Sequence, residues 1–520
     1  MYKLSHLRIA LLAVFCLPAL LAGQSRTVNP DSALQKILAE MNGTKLTLAE
    51  AQKAGQENSP AVRQAEALYQ AASGAVRREK GYFDPAFFFN INYEDTHAPT
   101  ASFFSGAPIL FTKQTTSQTG LQMHLPTGTQ LQASLNVVKL QTNSAFAFLN
   151  PQYTTFGNLS LRQPLLGGLW VSARKELTRT EHEKDAAKAR YQQEVLAINT
   201  EVERAYWDLY AAERNYAVRK LLKQQGEAFV HDTKLRADAG IIGPNQLANA
   251  QTFLAEQNLL LINEQESLAT LSDRLYVLAG IRPQNNSTRF IAVDEPGGDF
   301  PVLPLDELLE SAVKNNSDLQ AAKADIAARQ ASAKAAGWEA LPSVDIVGSL
   351  GGNGLAGMAH DVIFSGDTLR TSRAGDLNDA INQSLKRDFK NWTVGVEVNV
   401  PIGFRSGRGE RQRLQAEVVI AEQNYIEQIR NLEQAINAVH RELANSKQRI
   451  EAASAEVAAA QEQVQIGLVE FHNGRSTAFE LVRLSADFAL AQQRYSEALV
   501  KTAKAAVTLR ELTSGEYSWN

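Results

Sequence analysis

Two long stretches of this sequence carry the same heptad pattern at a fixed distance from each other. Apolar side chains follow alternating spacings of four and three over residues 191–216, which is the seam of a coiled coil. When each residue number is increased by the 234 positions that separate Tyr191 from Tyr425, a second seam appears over residues 425–450. Only Ser446 is a poor seam residue in it. A register kept over this length indicates an internal duplication. The seam positions are Tyr191, Val195, Ile198, Val202, Ala205, Leu209, Ala212 and Tyr216, then Tyr425, Ile429, Leu432, Ile436, Val439, Leu443 and Ile450.

Each copy of the pattern turns back on itself at a glycine. Leucines one heptad apart follow Gly240, and the same offset places Gly474 at the corresponding point of the second copy. The sequence therefore predicts two helical hairpins, at residues 171–278 and 408–512. No proline interrupts residues 171–240, so this arm would be a helix of roughly 100 Å, far longer than those of ordinary globular proteins. The leucines are Leu247, Leu254, Leu261, Leu268 and Leu275.

Residues 1–23 have the pattern of a signal peptide. Lys3 and Arg8 precede an apolar run of about 13 residues, which is too short to cross a bilayer as a helix. Cys16, the only cysteine, lies in this run, and the residues before it do not fit a lipoprotein cleavage site. We therefore expect a mature protein without cysteine or lipid anchor. The alternative is a buried first helix.

Composition and motifs argue against several classes of protein. The net charge of −4 over 520 residues leaves no basic footprint for nucleic acid, and a hydrophobic content of 44% is too low for a polytopic helical membrane protein. The histidines have no ligand spacing, and we find no nucleophile elbow or phosphate loop. We therefore expect no enzyme activity, no metal and no cofactor. Residues 352–357 match the G-x-G-x-x-G pattern, but without a following βαβ unit they predict an external loop.

A shorter repeated segment precedes each hairpin. Residues 46–84 predict two helices, with Thr47 capping the first and Ser59-Pro60 opening the second. A second copy of this segment begins at Leu303, which corresponds to Leu46, and the two copies have identical residues at eight positions. The second copy therefore predicts helices at 304–340. The predicted divisions are residues 1–23 (signal peptide), 24–280 (first repeat, after a polar stretch without clear period), 281–302 (linker), 303–515 (second repeat) and 516–520 (tail).

Between the short helices and each hairpin the hydrophobic period changes to two. Apolar and polar side chains alternate in residues 86–164 and 343–401, over runs of about ten residues, the length of a tilted transmembrane β-strand. This pattern also fits a half-buried soluble sheet, but the signal peptide and the lack of a second apolar layer favour the membrane. Two faces follow from the alternation: Trp392, Val394, Val396 and Val398 are expected to face lipid, and Glu397 and Asn399 to face a pore.

The strand region is longer in the first repeat than in the second. Corresponding residues of the two repeats are 257 positions apart at Leu46 and Leu303, but 237 positions apart at Pro164 and Pro401. The first repeat therefore contains an insertion between these points. Alternating residues around 119–137, interrupted by Pro126-Thr127-Gly128, predict an extra β-hairpin. The pattern leaves open whether this hairpin joins the other strands or lies outside the membrane.

The sequence predicts the order helix, helix, strand, strand, helix, helix twice. In this it resembles the TolC family of outer-membrane efflux proteins. The resemblance covers about residues 24–515, and its most specific features are the strand exit Gln163-Pro164-Leu165-Leu166 and the turn at residues 474–481. It implies a mainly α protein in which long coiled-coil hairpins form an α-barrel, continued by a membrane β-barrel that a homotrimer shares. It also implies an exit duct through outer-membrane lipid, fed by an inner-membrane transporter through a periplasmic adaptor.

The number of strands per chain supports pooling between protomers. Four strands cannot close a barrel, and an open sheet edge in lipid leaves backbone groups unpaired. Three copies with four strands each would give twelve strands, which we expect. If the extra hairpin joined the wall, three copies with six strands each would give eighteen.

The hairpin turns are the first candidate site. By resemblance they lie at the periplasmic mouth of the duct, which implies adaptor docking at Gly240, Gly474, Arg475 and Ser476. The alternative is a purely local role, in which glycine ends one helix and Ser476 caps the next.

The second candidate site is the constriction of the duct. Glu480 falls where the family carries an acidic ring, and Arg483 falls where members can carry a second acid. The resemblance therefore implies a mouth that attracts cations less strongly than two acids would. The alternative is an exposed carboxylate paired with Arg483 three residues on.

Two other functions fit the same sequence. One is a structural coiled-coil protein of the envelope, whose strands form a soluble cap. The other is a periplasmic adaptor, although an adaptor needs one hairpin with lipoyl-like strands and this sequence predicts two hairpins. The sequence does not name the cargo.

Overall fold

The computed structural model describes residues 32–283, 289–473 and 475–517. The predicted signal peptide with Cys16, the turn residue Gly474, and parts of the predicted linker and tail lie outside these ranges. The described chain falls into two units. One comprises the described part of Met1–Met41 with Glu213–Gln265 and Ala453–Tyr495; the other comprises Asn42–Ala212, Glu266–Ala452 and Ser496 to the last described residue.

The elements follow the predicted order in both repeats. The first repeat contains α1 (Ser32–Ala39), β1 (Thr44–Leu46), α2 (Leu48–Asn58), α3 (Pro60–Gly81), β2 (Ala86–Pro99), β3 (Ile109–His124), β4 (Gln130–Thr142), β5 (Leu149–Leu166), α4 (Trp170–Ala173), α5 (Lys175–Asp238) and α6 (Pro244–Ala279). After β6 (Phe290–Ala292), the second contains α7 (Leu305–Asn315), α8 (Ser317–Glu339), β7 (Ser343–Ala359), β8 (Val362–Phe364), β9 (Asp367–Leu369), α9 (Leu377–Lys386), β10 (Phe389–Asn399), α10 (Arg405–Ala444), α11 (Ser446–His472) and α12 (Ala478–Leu512).

The short helices begin where their caps predict. The Thr47 side chain accepts a hydrogen bond from the backbone N–H of Glu50, whose own side chain returns to Thr47, so α2 starts with a complete capping box. The Ser59 side chain accepts a hydrogen bond from the N–H of Val62 and caps α3, with Pro60 in its first turn. In the polar stretch before these helices, where the sequence shows no clear period, the chain forms α1 and β1.

A six-stranded antiparallel sheet is the largest β element of the described chain, in the order β10-β7-β5-β4-β3-β2. The predicted extra hairpin is β3–β4, and it lies between β2 and β5 rather than beside the sheet. The prediction of four strands per chain is therefore wrong, since the sheet of one chain has six. The hairpin turns at Gly128, which takes a φ of +89° and donates its N–H to the carbonyl of Leu125.

The glycine run at residues 352–357 lies inside β7, so its assignment to an external loop is also wrong. These residues pair with β5 on one side of the strand. Helix α9 lies against β7 where the glycines leave room: a Cβ at Gly354 would overlap the carbonyl oxygen of Ala380, and one at Gly352 would overlap that of Ser384. The glycines therefore serve the close approach of a helix to the sheet.

The second long arm is divided at Asn445, although the sequence predicts no interruption. The hydrogen-bond ladder continues there, since Asn445 donates to Arg441 and accepts from Arg449. Ser446, the one poor seam residue, is buried, and its hydroxyl donates to the carbonyl of Leu443 at 2.6 Å. A buried serine that bonds back to its own helix explains a local irregularity at this point.

Three ion pairs join α5 to α12 within the second unit. Glu203 is buried and pairs with Arg510, and it also accepts from the amide of Gln52 at 2.9 Å. A shift of one helix along the other would leave the buried carboxylate of Glu203 unpaired. The pairing therefore favours one register of the two helices. The other pairs are Arg204–Glu511 and Asp208–Lys504.

Tyr206 of α5 holds the small parallel sheet formed by β1 and β6. Its ring is fully buried, and its oxygen accepts hydrogen bonds from the N–H groups of Val293 and Asp294, each at 2.9 Å. The hydroxyl lies 3.0 Å from the carbonyl oxygen of Leu46 in β1. Burial raises the pKa of the Tyr206 phenol, so it stays a neutral donor.

We expect Tyr206→Phe to lower stability by about 1–3 kcal/mol, because two partly buried N–H groups lose their acceptor. The measurement is the melting temperature of the detergent-solubilised protein. Tyr82→Phe is the control, since the Tyr82 side chain is 53% exposed. Equal melting temperatures for the wild type and Tyr206→Phe would contradict this role of the phenol.

Candidate pore wall and hairpin turns

One face of the six-stranded sheet carries an apolar row that crosses every strand. The register places these side chains opposite one another in neighbouring strands, so they share one face. The row consists of Trp392 (β10), Leu350 (β7), Leu159 (β5), Ala133 (β4), Leu121 (β3) and Phe87 (β2).

The predicted lipid-facing residues of β10 lie on this apolar face and are largely uncovered. Their exposed fractions are 66% for Trp392, 74% for Val394, 66% for Val396 and 60% for Val398. Large apolar side chains in such numbers on one surface mark contact with a membrane or another protein.

The opposite face is polar, and it carries the predicted pore-facing Glu397 and Asn399. Arg162 of β5 reaches across two strands on this face, with a nitrogen 2.5 Å from the carboxylate of Asp345 and another 3.0 Å from that of Glu397. Glu397 is thus part of a three-residue cluster with a net negative charge. Sequence reasoning missed Arg162 and Asp345, because their contact depends on the pairing of β5 with β7.

Helix α9 lies on the apolar face, over β5 and β7. The hydroxyl of Thr155 donates to the carbonyl of Ala380 at 2.6 Å, and that of Ser384 donates to the carbonyl of Gly352 at 2.7 Å. The N–H of Gly157 donates to Ser384 in turn, also at 2.7 Å. The sequence analysis missed this helix; the available signal was the capping box of Asp376 with Asp379.

The two hairpin turns, in the first unit, have the same hydrogen bonds. Gly240 has a φ of +69°, and the N–H of Ile241 donates to the carbonyl of Arg236 at 2.8 Å. The corresponding positions of the second repeat have this bond too, since the N–H of Arg475 donates to the carbonyl of Glu470 at 2.8 Å. Both turns thus end a helix with the long-range bond of a Schellman-type cap. Gly474 lies outside the described residues.

The cap of α12 is Thr477, one residue after the predicted Ser476. The hydroxyl oxygen of Thr477 accepts from the N–H of Glu480 at 3.2 Å, which is the bond expected of an N-cap. Ser476 instead places its hydroxyl 3.5 Å from the carbonyl oxygen of Thr477. The assignment of Ser476 as the cap is therefore wrong by one position.

Glu480 and Arg483 form an ion pair at the start of α12. Their closest nitrogen and oxygen lie 2.6 Å apart, one turn of helix separates the two residues, and both side chains are about half exposed. The hydrogen bond to Glu480, and then its charge, raise the pKa of Arg483. The pair therefore places little net charge on this part of the hairpin.

Exposed apolar side chains surround both turns. Leu235 is 57% exposed and Ile241 is 72% exposed near the first turn, while Val469 is 60% exposed and Phe479 is 54% exposed near the second. Leu235 and Val469 occupy the same position of the two repeats, since the offset between them is the one that takes Gly240 to Gly474. Sequence reasoning did not single out Leu235 and Val469. They could have been found as apolar residues that lie outside the heptad seams.

Two further properties of the described chain bear on its chemistry. None of its helices has the length and apolarity to cross a membrane. Within the same residues, no group of three His, Cys, Asp or Glu side chains is placed to bind a metal ion.

Residues 308–515 match the model of a family described as outer membrane efflux protein. The matched residues make up most of the second repeat. The predicted resemblance to TolC-like efflux proteins is thus confirmed, and the match supports the predicted outer-membrane location and efflux role. No curated protein matches the chain in sequence.

Solved structures with the same fold cover nearly the whole chain. The outer-membrane channel OprN has a TM-score of 0.64 at 16% identity, covering 94% of this chain and 93% of that one. CmeC of Campylobacter jejuni has a TM-score of 0.59 at 13% identity, covering 94% and 86%. The open state of Neisseria gonorrhoeae MtrE has a TM-score of 0.60 at 14% identity, covering 90% and 89%. These likenesses confirm the predicted fold class, a mainly α protein with a β part.

We expect Gly354→Ala to release α9 from the sheet, because the added methyl group would overlap the carbonyl of Ala380. Limited digestion with trypsin should then cut faster after Lys386. Gly348→Ala is the matched control in the same strand, since the nearest atom to its Cβ is 3.9 Å away. Equal cleavage rates in the two variants would contradict the packing.

We expect Val394→Arg to reduce assembly in the outer membrane, because a charge on the lipid face costs roughly 2–4 kcal/mol near mid-membrane. Thr393→Arg is the control at the same depth on the polar face. Heat-modifiable oligomer in outer-membrane fractions is measured for both variants. If Thr393→Arg were the more harmful change, the two faces would be reversed.

Proposed function

We propose that three copies of this chain form an exit duct, which passes solutes across the outer membrane from an inner-membrane transporter joined through a periplasmic adaptor. The observation that supports this most directly is the six-stranded sheet with one apolar and one polar face. Its strands lead directly into the long helices, β5 into α4 and α5, and β10 into α10.

The sheet by itself cannot be the membrane form of the protein. A membrane-spanning sheet must be closed, because its edge strands would otherwise expose unpaired N–H and C=O groups to lipid. The two ends of the strand order, β10 and β2, are such edges. Pooling between copies satisfies them, with Trp392, Val394, Val396 and Val398 toward outer-membrane lipid and Glu397 and Asn399 toward the pore.

The hairpin turns suit the docking of an adaptor. Leu235, Ile241, Val469 and Phe479 present apolar surface beside the two turns, and Arg475 is exposed among them. Apolar anchors with a charged rim are typical of protein interfaces. The repeated turn geometry gives each copy two related docking positions, at Gly240 and around Arg475 and Ser476.

The alternatives account for less of the molecule. A structural coiled-coil protein with a soluble cap leaves the apolar row across six strands without a partner layer in the described chain. An adaptor uses one hairpin, whereas this chain has two, α5–α6 and α11–α12.

Conductance separates a duct from these alternatives. The purified protein should migrate as a heat-modifiable trimer from outer-membrane fractions, and it should carry ionic current when reconstituted in planar lipid bilayers. A protein that stays monomeric and soluble without detergent, or a trimer that never conducts, would refute the duct.

The Glu480–Arg483 pair gives the duct a testable ion selectivity. If the pair lines the mouth, Glu480→Gln leaves three uncompensated arginines and weakens cation preference, while Arg483→Gln leaves three carboxylates and strengthens it. Reversal potentials across a salt gradient should therefore shift in opposite directions. The effect should fade at high salt, because exposed charges are screened.

The double variant Glu480→Gln with Arg483→Gln is the control, since it restores neutrality and should resemble the wild type. Unchanged reversal potentials in both single variants would place the pair away from the constriction.

A further inference from the structure

We infer that the membrane wall of this protein contains eighteen strands, because β10 of one copy pairs with β2 of the next and the hairpin β3–β4 is part of the wall. This inference rests on the proposed trimer and adds the composition of its wall. Six strands per chain, taken three times, give that number.

The hairpin is built into the sheet as an indispensable part. Strand β3 pairs with β2 over Ala86–Pro99, and β4 pairs with β5 over Gln130–Leu140, without an irregularity in either ladder. The two hairpin strands pair with each other from Thr112 to His124. Strand β2 therefore reaches β5 only through the hairpin, and removing the hairpin from the wall would break two ladders.

Strand β4 has the two faces that the wall requires, and β3 continues the apolar row at Leu121. Leu121 of β3 and Ala133 of β4 continue the apolar row between Phe87 and Leu159. On the other face Thr116 of β3 lies opposite Asn92 of β2. A hairpin folded away from the membrane would leave this row divided.

The two edges of the sheet match each other. All five pairings in the sheet are antiparallel, so β2 and β10 run in opposite directions and can pair antiparallel between copies. Both edges alternate in the same manner, with aromatic or β-branched residues on the apolar face and mostly polar residues on the other. The apolar residues are Phe87, Phe89, Ile91 and Tyr93 in β2, and Trp392, Val394, Val396 and Val398 in β10.

A wall of this size changes what the duct can pass. Barrel diameter grows roughly in proportion to strand number, so eighteen strands give about 1.5 times the diameter of twelve. Barrels of sixteen to eighteen strands enclose an aqueous channel. The inserted hairpin therefore widens the outer-membrane segment for bulkier or more hydrated solutes.

Disulfide trapping can test the pairing, because Cys16 in the predicted signal peptide is the only natural cysteine. Thr393→Cys in β10 is combined in turn with cysteine at 90, 92 or 94 in β2, and the trimer is oxidised in its native membrane. We expect one of these combinations to convert monomer to covalently linked trimer on denaturing gels. The control combines Thr393→Cys with Thr116→Cys in β3, which should remain monomeric.

The competing arrangement has its own pair of positions. In a twelve-stranded wall β2 would lie beside β5, so cysteine at 90, 92 or 94 should form a bond within one chain to cysteine at 158 or 160. In the eighteen-stranded wall two strands separate these positions, a gap of about 14 Å, and no bond forms. A β2–β5 bond in an intact trimer would overturn the inference alone. Failure to isolate any trimer would instead overturn the proposed function.

Discussion

The apolar face of the sheet constrains the rest of this molecule. Trp392 and Val394 are too exposed for a protein that stays in water, while the open backbone of β2 and β10 is equally unsuited to lipid. A membrane position with closure by further strands satisfies both requirements. The duplicated helices fit the proposed trimer, since strands shared between copies would need elements that hold those copies together outside the membrane.

Glycine has different uses in the two units. In the hairpin, Gly240 supplies a left-handed conformation that ends a helix. In the sheet, Gly352 and Gly354 supply empty space instead, and α9 approaches the strand until Ser384 and Ala380 bond to it directly. A G-x-G-x-x-G pattern in a strand can therefore be a helix-packing surface, and it needs no nucleotide to explain it.

The sequence predicted those features that are periodic over many residues. The heptad seams, both hairpins and the alternation in β10 follow from local spacing. The place of β3–β4 in the sheet does not, because β3 is polar on both faces at Thr115, Thr116 and Gln118, and its assignment comes only from its partners. Helix α9 is ten residues long, and a helix this short is marginal without the strands distant in sequence that it contacts. The cap at Thr477 was missed by one residue, which is the usual limit for a helix boundary.

The duplication is not symmetric in charge, and this asymmetry bears on selectivity. The positions that hold Glu480 and Arg483 in the second hairpin hold Gln246 and Asn249 in the first, at the offset that relates the two turn glycines. At these two positions the charge therefore comes from one repeat only, as a bonded pair of opposite sign. In the proposed trimer, three such pairs would be accompanied by three sets of the neutral amides Gln246 and Asn249. If Glu480 and Arg483 line the proposed mouth, we expect their paired charges to admit anions more readily than an unpaired acidic ring would.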